Sequence, residues 1–166
     1  VTLISFALPA VMLSGFDGSV TDMQFMESQS WIPYFGISYT LGVDGISVLL
    51  VMLTTVLMPI VVIASGSVTD RVRGYLFHML VLETAMLGTL VALDVFLFYV
   101  FWELMLAPMY FIIGIWGGKR RIYATLKFVL YTVVGSLLML VAIFYVISSY
   151  SAQHAGEISF LLSDLV

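Results

Sequence analysis

Residues 100–111 read VFWELMLAPMYF, and one acid and one proline interrupt what is otherwise a hydrophobic stretch. Glu103 is the only charged residue in it, and Pro108 follows five positions later. An ionised acid near the centre of a membrane-spanning helix costs about 2.5–3.5 kcal/mol on insertion scales. Proline removes one helical N–H and displaces the carbonyl four residues before it, which here belongs to Leu104. The stretch therefore predicts a transmembrane helix built around a carboxylate.

The composition of the whole chain supports a membrane protein. Of its 166 residues 62% are hydrophobic and 10% are charged, with a mean hydropathy of +1.14. A soluble domain is about half apolar and about a quarter charged. The chain has no cysteine, which excludes disulfides and thiolate-bound iron–sulfur clusters, and its six Lys and Arg residues are too few for a nucleic-acid surface. It has no phosphate-binding glycine motif, and two isolated histidines predict no metal site, so we expect no cofactor on this chain.

Five hydrophobic segments predict an all-α, polytopic bundle of transmembrane helices. These spans are predicted at 1–13, 44–65, 75–93, 95–116 and 122–147. Each of the last four is close to the roughly 20 residues that a helix needs to cross a bilayer. The first would be only about 20 Å long, less than the hydrocarbon thickness of about 30 Å. We therefore expect the sequence to begin inside a span and to be a fragment of a longer protein.

The connections between the spans predict the orientation. Residues 65–74 and 117–127 carry all six cations, whereas 14–43 and 148–166 carry none. The positive-inside rule places the two cationic connections in the cytoplasm and the other two outside it. The aromatic stretch 31–43, with turn residues at both ends, indicates a short strand or hairpin over the membrane surface.

The depth of Glu103 leaves two interpretations open. It lies eight residues after Val95 and thirteen before Trp116, or about 12 Å and about 20 Å from the ends of its span. One interpretation is a structural glutamate, protonated and hydrogen-bonded to a neighbouring helix. The other is a group that handles protons or ions, which is the usual role of an acid inside a membrane.

Two further acids border this span. Asp94 stands directly before it, where its carboxylate can accept hydrogen bonds from the free amides of the first helical turn. Glu83 lies about 16 Å from Asp94 on the preceding span, and Glu103 lies about 12 Å from it on the antiparallel one. The two glutamates are thus predicted at similar depths, with Glu83 either a relay or a structural residue.

Three other residues have candidate roles. Lys127 is about 8 Å into its span, within reach of the cytoplasmic surface, and is either a relay through water or an interfacial residue. His78, near the cytoplasmic start of its span, is either interfacial or a site of proton uptake. Pro108 frees a carbonyl beside Glu103, where water or a proton donor can bind.

Three stretches carry a family resemblance: LGVDGISVLLVMLTTVLMPI (41–60), LVALDVFLFYVFWELMLAPMYFIIGIWGG (90–118) and RIYATLKFVLYTVVGSLLMLVAI (121–143). Together they resemble the M subunit, or chain 4, of proton-pumping NADH:quinone oxidoreductase (respiratory complex I), a member of the antiporter-like membrane subunits. The resemblance covers nearly the whole chain and implies a fragment of a larger subunit of about fourteen helices.

The resemblance also implies roles for particular residues. Glu103 matches the family's essential membrane glutamate, which pairs with a lysine on a later, broken helix that would lie beyond Val166. Lys127 matches the lysine of the KFxxYT stretch, and Asp94 matches the acid before the FLFYVFWE run. Glu83 has no family motif to which it can be assigned.

The function implied by the resemblance is that of a proton-translocating subunit coupled to quinone reduction elsewhere in the complex. NADH, FMN, iron–sulfur clusters and quinone would then belong to partner subunits, and the partners would be other membrane subunits, including neighbouring antiporter-like ones, and the lipid bilayer. The location would be the bacterial inner membrane, or the mitochondrial inner membrane for an organellar protein. A subunit of a multi-subunit cation/proton antiporter, a related plastoquinone-reducing complex and a purely structural scaffold remain as alternatives.

Overall fold

The computed structural model describes residues 2–18, 22–154 and 156–165. The remaining positions, 1, 19–21, 155 and 166, fall in the predicted first span and in the two predicted outer connections, and they lie outside the described residues. The described chain is mostly helical, and four of its helical segments are long and apolar enough to cross a membrane. The predicted helical membrane fold is confirmed.

The elements follow one another along the chain with short connections. In order they are α1 (Thr2–Gly15), β1 (Gln24–Ile32), β2 (Ile37–Val43), α2 (Gly45–Ala64), α3 (Val72–Val91), α4 (Val95–Leu104), α5 (Leu106–Trp116), α6 (Arg121–Gln153) and α7 (Leu162–Leu165). Short 3-10 turns occupy Pro33–Phe35 and Ser65–Ser67. The segment Val95–Trp116, which includes α4 and α5, forms one candidate membrane span.

Two helices extend beyond the spans expected from hydropathy. α3 begins at Val72 rather than at residue 75, and α6 runs without interruption for 33 residues to Gln153 rather than to residue 147. The added residues of α6 are largely polar and contain no proline or glycine. Hydropathy therefore does not detect them, although nothing in them stops the backbone hydrogen bonds of the helix.

A two-stranded antiparallel hairpin accompanies the helices. β1 begins at Gln24, earlier than the stretch 31–43 in which a strand or hairpin was expected, because its polar residues form ladder bonds without an apolar pattern. Ser28 pairs with Thr40 in the register, and their hydroxyl oxygens are 2.8 Å apart. The turn needs Gly36, which has φ +69° and where a Cβ would lie 2.5 Å from the carbonyl oxygen of Ile158.

The hairpin packs on one end of the helices. We call this the hairpin end; it comprises residues 24–43, 92–95 and 156–165. Backbone hydrogen bonds join its three parts, from Leu93 N to Thr40 O at 2.9 Å and from Val95 N to Phe160 O at 2.8 Å. Phe160 is also buried in a cluster with Ile37 and Ile147.

The two cationic connections meet at the opposite end, which we call the cationic end (residues 65–74 and 116–121). The indole Nε1 of Trp116 donates a hydrogen bond to the carbonyl of Asp70 at 2.7 Å, and its ring contacts that of Tyr75 at 5.4 Å between centroids. Five of the six cations thus share one end of the bundle, and their cytoplasmic location remains a prediction.

The outside of the bundle is apolar. Large hydrophobic side chains are exposed along the lengths of α2 and α6, among them Ile46, Leu49, Ile63, Leu130, Leu138 and Val141. A water-soluble protein rarely exposes so large an apolar surface, whereas lipid solvates it without cost.

Candidate functional site

The helical hydrogen bonds are interrupted directly after Glu103, although Met105 keeps helical backbone angles of φ −63° and ψ −26°. α4 ends at Leu104 and α5 begins at Leu106, so Met105 separates two helical segments within one candidate span. Pro108, which is fully buried, has no N–H to donate to the carbonyl of Leu104. The next backbone bond, from Met109 N to Met105 O, is long at 3.4 Å. The break therefore places a backbone carbonyl without its helical donor one residue away from the carboxylate.

Glu103 is part-buried and lies near the hydroxyl of Tyr99 on its own helix. The hydroxyl of Tyr99 interacts both with the Glu103 carboxylate, one turn further along α4, and with the hydroxyl of Ser136 on α6. Ser136 is only 4% exposed, so this contact lies between the helices. The other polar feature is Glu103 Oε1, a buried oxygen that accepts no hydrogen bond from the residues described by the structure.

Glu83 lies on α3 near the depth of Glu103. The two helices touch at Gly88 and Phe101, where a Cβ added to the glycine would be 2.4 Å from the ring. Glu83 is five residues from Gly88, and Glu103 is two residues from Phe101 in the same direction along the bundle. The two acids therefore differ in depth by about 5 Å. With an exposed fraction of 2%, Glu83 is buried among the helices.

Lys127 lies on the other side of α6 from this site. It is nine residues from Ser136, which at 3.6 residues per turn corresponds to about 180° around the helix. Its side chain is exposed, and its Nζ is 5.9 Å from the ring centre of Tyr123 and 6.0 Å from that of Tyr131. Because Ser136 faces Tyr99 on α4, the charge of Lys127 points away from that helix.

Asp94 has a quite different environment at the hairpin end. It is fully buried, and its Oδ1 accepts hydrogen bonds from the backbone amides of Phe96 and Leu97 at 2.9 and 3.0 Å. Its Oδ2 accepts from the amide and the hydroxyl of Ser38 at 2.9 and 3.2 Å. The residue caps α4, as its position in the sequence indicates, and also ties β2 to the start of that helix.

His78 lies among aromatic rings near the cationic end. Its Nδ1 donates to the carbonyl of Gly74 at 2.7 Å, which fixes the ring on the tautomer protonated at that atom. The ring centres of Phe111 and Trp116 are 4.9 and 6.1 Å from its own. The structure thus places His78 in a part-buried position between α3 and α5.

The sequence reasoning missed two residues of this site, Tyr99 and Ser136. Tyr99 has a local signal, because residues four positions apart lie on the same face of a helix. Ser136 has none, since its approach to Tyr99 depends on how α6 packs against α4. Among the described residues no group of three or more His, Asp or Glu side chains is arranged to hold a metal ion.

The fold and the site together define a class, a polytopic helical membrane protein with a carboxylate beside a break in one of its spans. Comparison with known families is more specific. Residues 5–91 match the model of the amino terminus of NADH-ubiquinone oxidoreductase chain 4, and residues 92–162 match that of the NADH:quinone oxidoreductase/Mrp antiporter transmembrane region. The chain belongs to the NADH-quinone oxidoreductase subunit M (chain 4) family, and the resemblance stated from the sequence is confirmed.

Individual relatives agree with this assignment. The chain is 49% identical to NADH-quinone oxidoreductase subunit M of Rhodobacter capsulatus over 98% of its length, and 39% identical to F(420)H(2) dehydrogenase subunit M of Methanosarcina mazei over 86%. It resembles a chain in the structure of respiratory complex I from Thermus thermophilus with bound NADH, with a TM-score of 0.72, 27% identity and coverage of 99% of this chain and 38% of the other. It spans 31% and 29% of the two sequence relatives.

Proposed function

We propose that this chain is part of a proton-translocating membrane subunit of NADH:quinone oxidoreductase, which couples quinone reduction in partner subunits to proton movement through Glu103. The supporting observation is the placement of Glu103 inside a candidate span, directly before the helix break, with its Oε1 buried and without a hydrogen-bond donor among the described residues. A buried carboxylate oxygen without a hydrogen-bond donor can bind a proton or pair with a cationic side chain.

The physical basis is the balance between desolvation and pairing. Removal from water disfavours the ionised carboxylate, whereas an approaching cation favours it. A cationic side chain that moves toward Glu103 and away again would therefore load and unload a proton. In this proposal that cation comes from a later helix of the same subunit, since Lys127 points away from Glu103.

The other candidate residues have secondary roles in this proposal. Glu83 is the relay candidate that the geometry favours, because it is buried at nearly the depth of Glu103 on a helix in contact with α4. His78 stands near the cationic end, where it could take up protons, and Pro108 maintains the break. NADH, FMN, iron–sulfur clusters and quinone would be held by partner subunits, and this chain would lie among other membrane subunits of the complex, including antiporter-like neighbours, in the bacterial inner membrane or its mitochondrial counterpart.

The test is Glu103→Gln in the full-length subunit within the assembled complex. We expect proton pumping into membrane vesicles to fall by about 10- to 100-fold, since the amide keeps the shape but cannot exchange a proton. Glu157→Gln is the matched control, because the same change is made at an exposed position of the hairpin end. Unchanged pumping in Glu103→Gln, with normal assembly in both variants, would make the glutamate structural and refute the proposal.

One alternative is favoured by a specific observation. The model that matches residues 92–162 covers Mrp antiporters as well as NADH:quinone oxidoreductases, so a subunit of a cation/proton antiporter shares this helical region. Purification of the tagged full-length subunit in mild detergent distinguishes the two. Flavin- and iron–sulfur-containing partners would support the redox-driven complex, whereas their absence from an intact, active assembly would support the antiporter. A purified complex that reduces plastoquinone would instead indicate the related plastoquinone-reducing class.

A further inference from the structure

We infer that the exposed face of α6 binds an anionic phospholipid, whose phosphate lies against Arg120 and Lys127 and whose acyl chain follows the helix away from the cationic end. This inference goes beyond the proton path, because it uses none of the residues around Glu103. It holds whether or not that glutamate carries protons, and it follows from the charges, rings and exposed side chains of α6.

Two cations border the same aromatic ring at the start of α6. The guanidinium carbon of Arg120, the residue before the helix, is 5.1 Å from the centre of the Tyr123 ring, and the Nζ of Lys127 is 5.9 Å from it. The ring of Tyr131, one turn further along, is 6.0 Å from the same Nζ. The face of a ring attracts a cation but leaves its charge in place. Both cations can therefore still pair with an anion.

The surrounding elements supply no carboxylate for that pairing. Residues 104–156, which include α5, the connection after it and α6, contain no Asp or Glu. The buried side chains of Thr125 and Ser136 lie on the opposite side of α6 from Lys127, so the lysine faces away from the helices of this bundle. A cation less than two turns inside a span is costly without a partner, and the anion that a bilayer supplies near that level is the lipid phosphate.

The side chains that continue this face are large, apolar and exposed. Lys127 is followed by Leu130, Val134, Leu138 and Val141 at spacings of three or four residues, so the five form one stripe along α6. The four apolar side chains are between 59% and 68% exposed. None of them is Gly, Ala or Ser, the small residues that are enriched where transmembrane helices pack closely. The stripe therefore suits an acyl chain better than another helix.

A groove between α5 and α6 begins beside this stripe. Its volume is about 380 Å³, and apolar side chains form most of its lining, among them Phe111, Ile115, Ile122 and Leu126. Ile122 and Leu126 directly precede Tyr123 and Lys127 in the sequence, so the groove and the two cations lie at the same end of α6. A phospholipid has two acyl chains, and the stripe and the groove provide an apolar surface for each.

The test places the assembled complex, with the full-length subunit, in phosphatidylcholine vesicles that contain a trace of photoactivatable phosphatidylglycerol or of photoactivatable phosphatidylcholine with the same chains. After illumination, mass spectrometry of the peptides measures how much of each lipid is crosslinked to residues 126–141. Arg120→Gln combined with Lys127→Gln removes the two cations. Arg71→Gln combined with Arg73→Gln is the matched control, because it removes two exposed cations from the other connection at the same end.

We expect wild-type crosslinking by phosphatidylglycerol to exceed that by phosphatidylcholine about fivefold or more, since each Lys or Arg near a membrane surface favours an anionic lipid by roughly that factor. The preference should disappear without Arg120 and Lys127 and persist in the control. Should this double variant fail to assemble, Lys127→Gln alone decides by the same ratio.

Four results would overturn the inference. Equal crosslinking by the two lipids in the wild type would show that the face does not select charge. A preference that survives the loss of Arg120 and Lys127 would show that these residues do not bind the phosphate. An equal loss of preference in the control would reduce the effect to the general charge of this end. Absence of crosslinking by either lipid would show that a later span of the subunit covers the face.

Discussion

Asp94 and Glu103 lie nine residues apart on the same stretch of chain, and their carboxylates have opposite surroundings. Asp94 is fully buried and accepts four hydrogen bonds, which occupy both of its oxygens. Glu103 is part-buried, and its Oε1 has no donor among the described residues. A fully hydrogen-bonded carboxylate stabilises one arrangement, whereas a partly satisfied one can change its partner or its proton. The contrast separates a structural acid at the hairpin end from Glu103, to which the proposed function assigns proton transfer.

The largest effect on stability is expected at Asp94. Asp94→Ala removes the cap of α4 and leaves the buried amide of Ser38 without an acceptor, which should destabilise the subunit by about 3–5 kcal/mol. The measurement is the melting temperature of the purified complex together with the amount assembled. Asp94→Asn keeps one acceptor oxygen and should lose about half as much. If Asp94→Ala had the melting temperature of the wild type, the structural role assigned to Asp94 would be wrong.

The contact between α3 and α4 at Gly88 and Phe101 should be the next most sensitive. Gly88→Ala would place a Cβ 2.4 Å from the ring of Phe101 and force α3 and α4 apart, at a cost of about 1–3 kcal/mol. Gly135→Ala is the matched control, because nothing lies within 4 Å of a Cβ added there. Thermal melting of the two variants checks the difference. Equal melting would show that α3 and α4 are not in close contact at this depth.

Asp44 caps α2 as Asp94 caps α4. The stabilisation that it contributes is expected to be smaller and to depend on pH. Its carboxylate accepts from the Ser47 amide at 2.7 Å, and this bond, with that of the Ser47 side chain, holds the pKa of Asp44 below its ordinary value. Asp44→Ala should cost about 1 kcal/mol near neutral pH. A lowered pKa means that the stabilisation is complete above the unfolded-state value of about 3.9 and is lost as pH falls through the folded-state value.

The difference in stability between wild type and Asp44→Ala should therefore shrink as the pH is lowered below about 4. Denaturation of the complex at several pH values measures this difference. Asp44→Asn retains a neutral acceptor, so it should keep part of the stabilisation from capping but lose its pH dependence. If the difference in stability between wild type and Asp44→Ala stayed constant down to acid pH, the charge of Asp44 would contribute nothing to the capping of α2.

The smallest effect is expected at Lys127. Because its charge lies on the exposed side of α6 beside two tyrosine rings, Lys127→Gln should lose a cation–π contribution of at most about 1 kcal/mol and change pumping less than twofold. Pumping assays run beside Glu103→Gln make the comparison direct. A loss as great as that of the glutamate variant would place Lys127 on the proton path and require a different packing of α6.

The sequence predicts some of these features well and others not at all. Helix length and hydropathy were sufficient to predict the four long apolar helices, and the position of Asp94 before a hydrophobic run was sufficient for its role as a cap. Asp94 also accepts hydrogen bonds from Ser38, which is 56 residues away, and no local sequence pattern predicts such a contact. The depth of Lys127 followed from its distance along the helix, but its direction depends on which side of α6 packs against α4, and the sequence does not give that. The early start of β1 was missed because five of its nine residues are polar and the strand has no buried face.

α6 is substantially longer than the bilayer is thick. Its 33 residues correspond to about 50 Å, compared with about 30 Å of hydrocarbon. With Arg121 at the cationic end, the surplus emerges at the other surface, where the last turns are polar. This length carries the chain clear of the lipid before it folds back to place Phe160 against Val95. Asp94, whose side chain is fully buried, thus lies beneath this returning segment, in which Leu161 forms a backbone bridge with it.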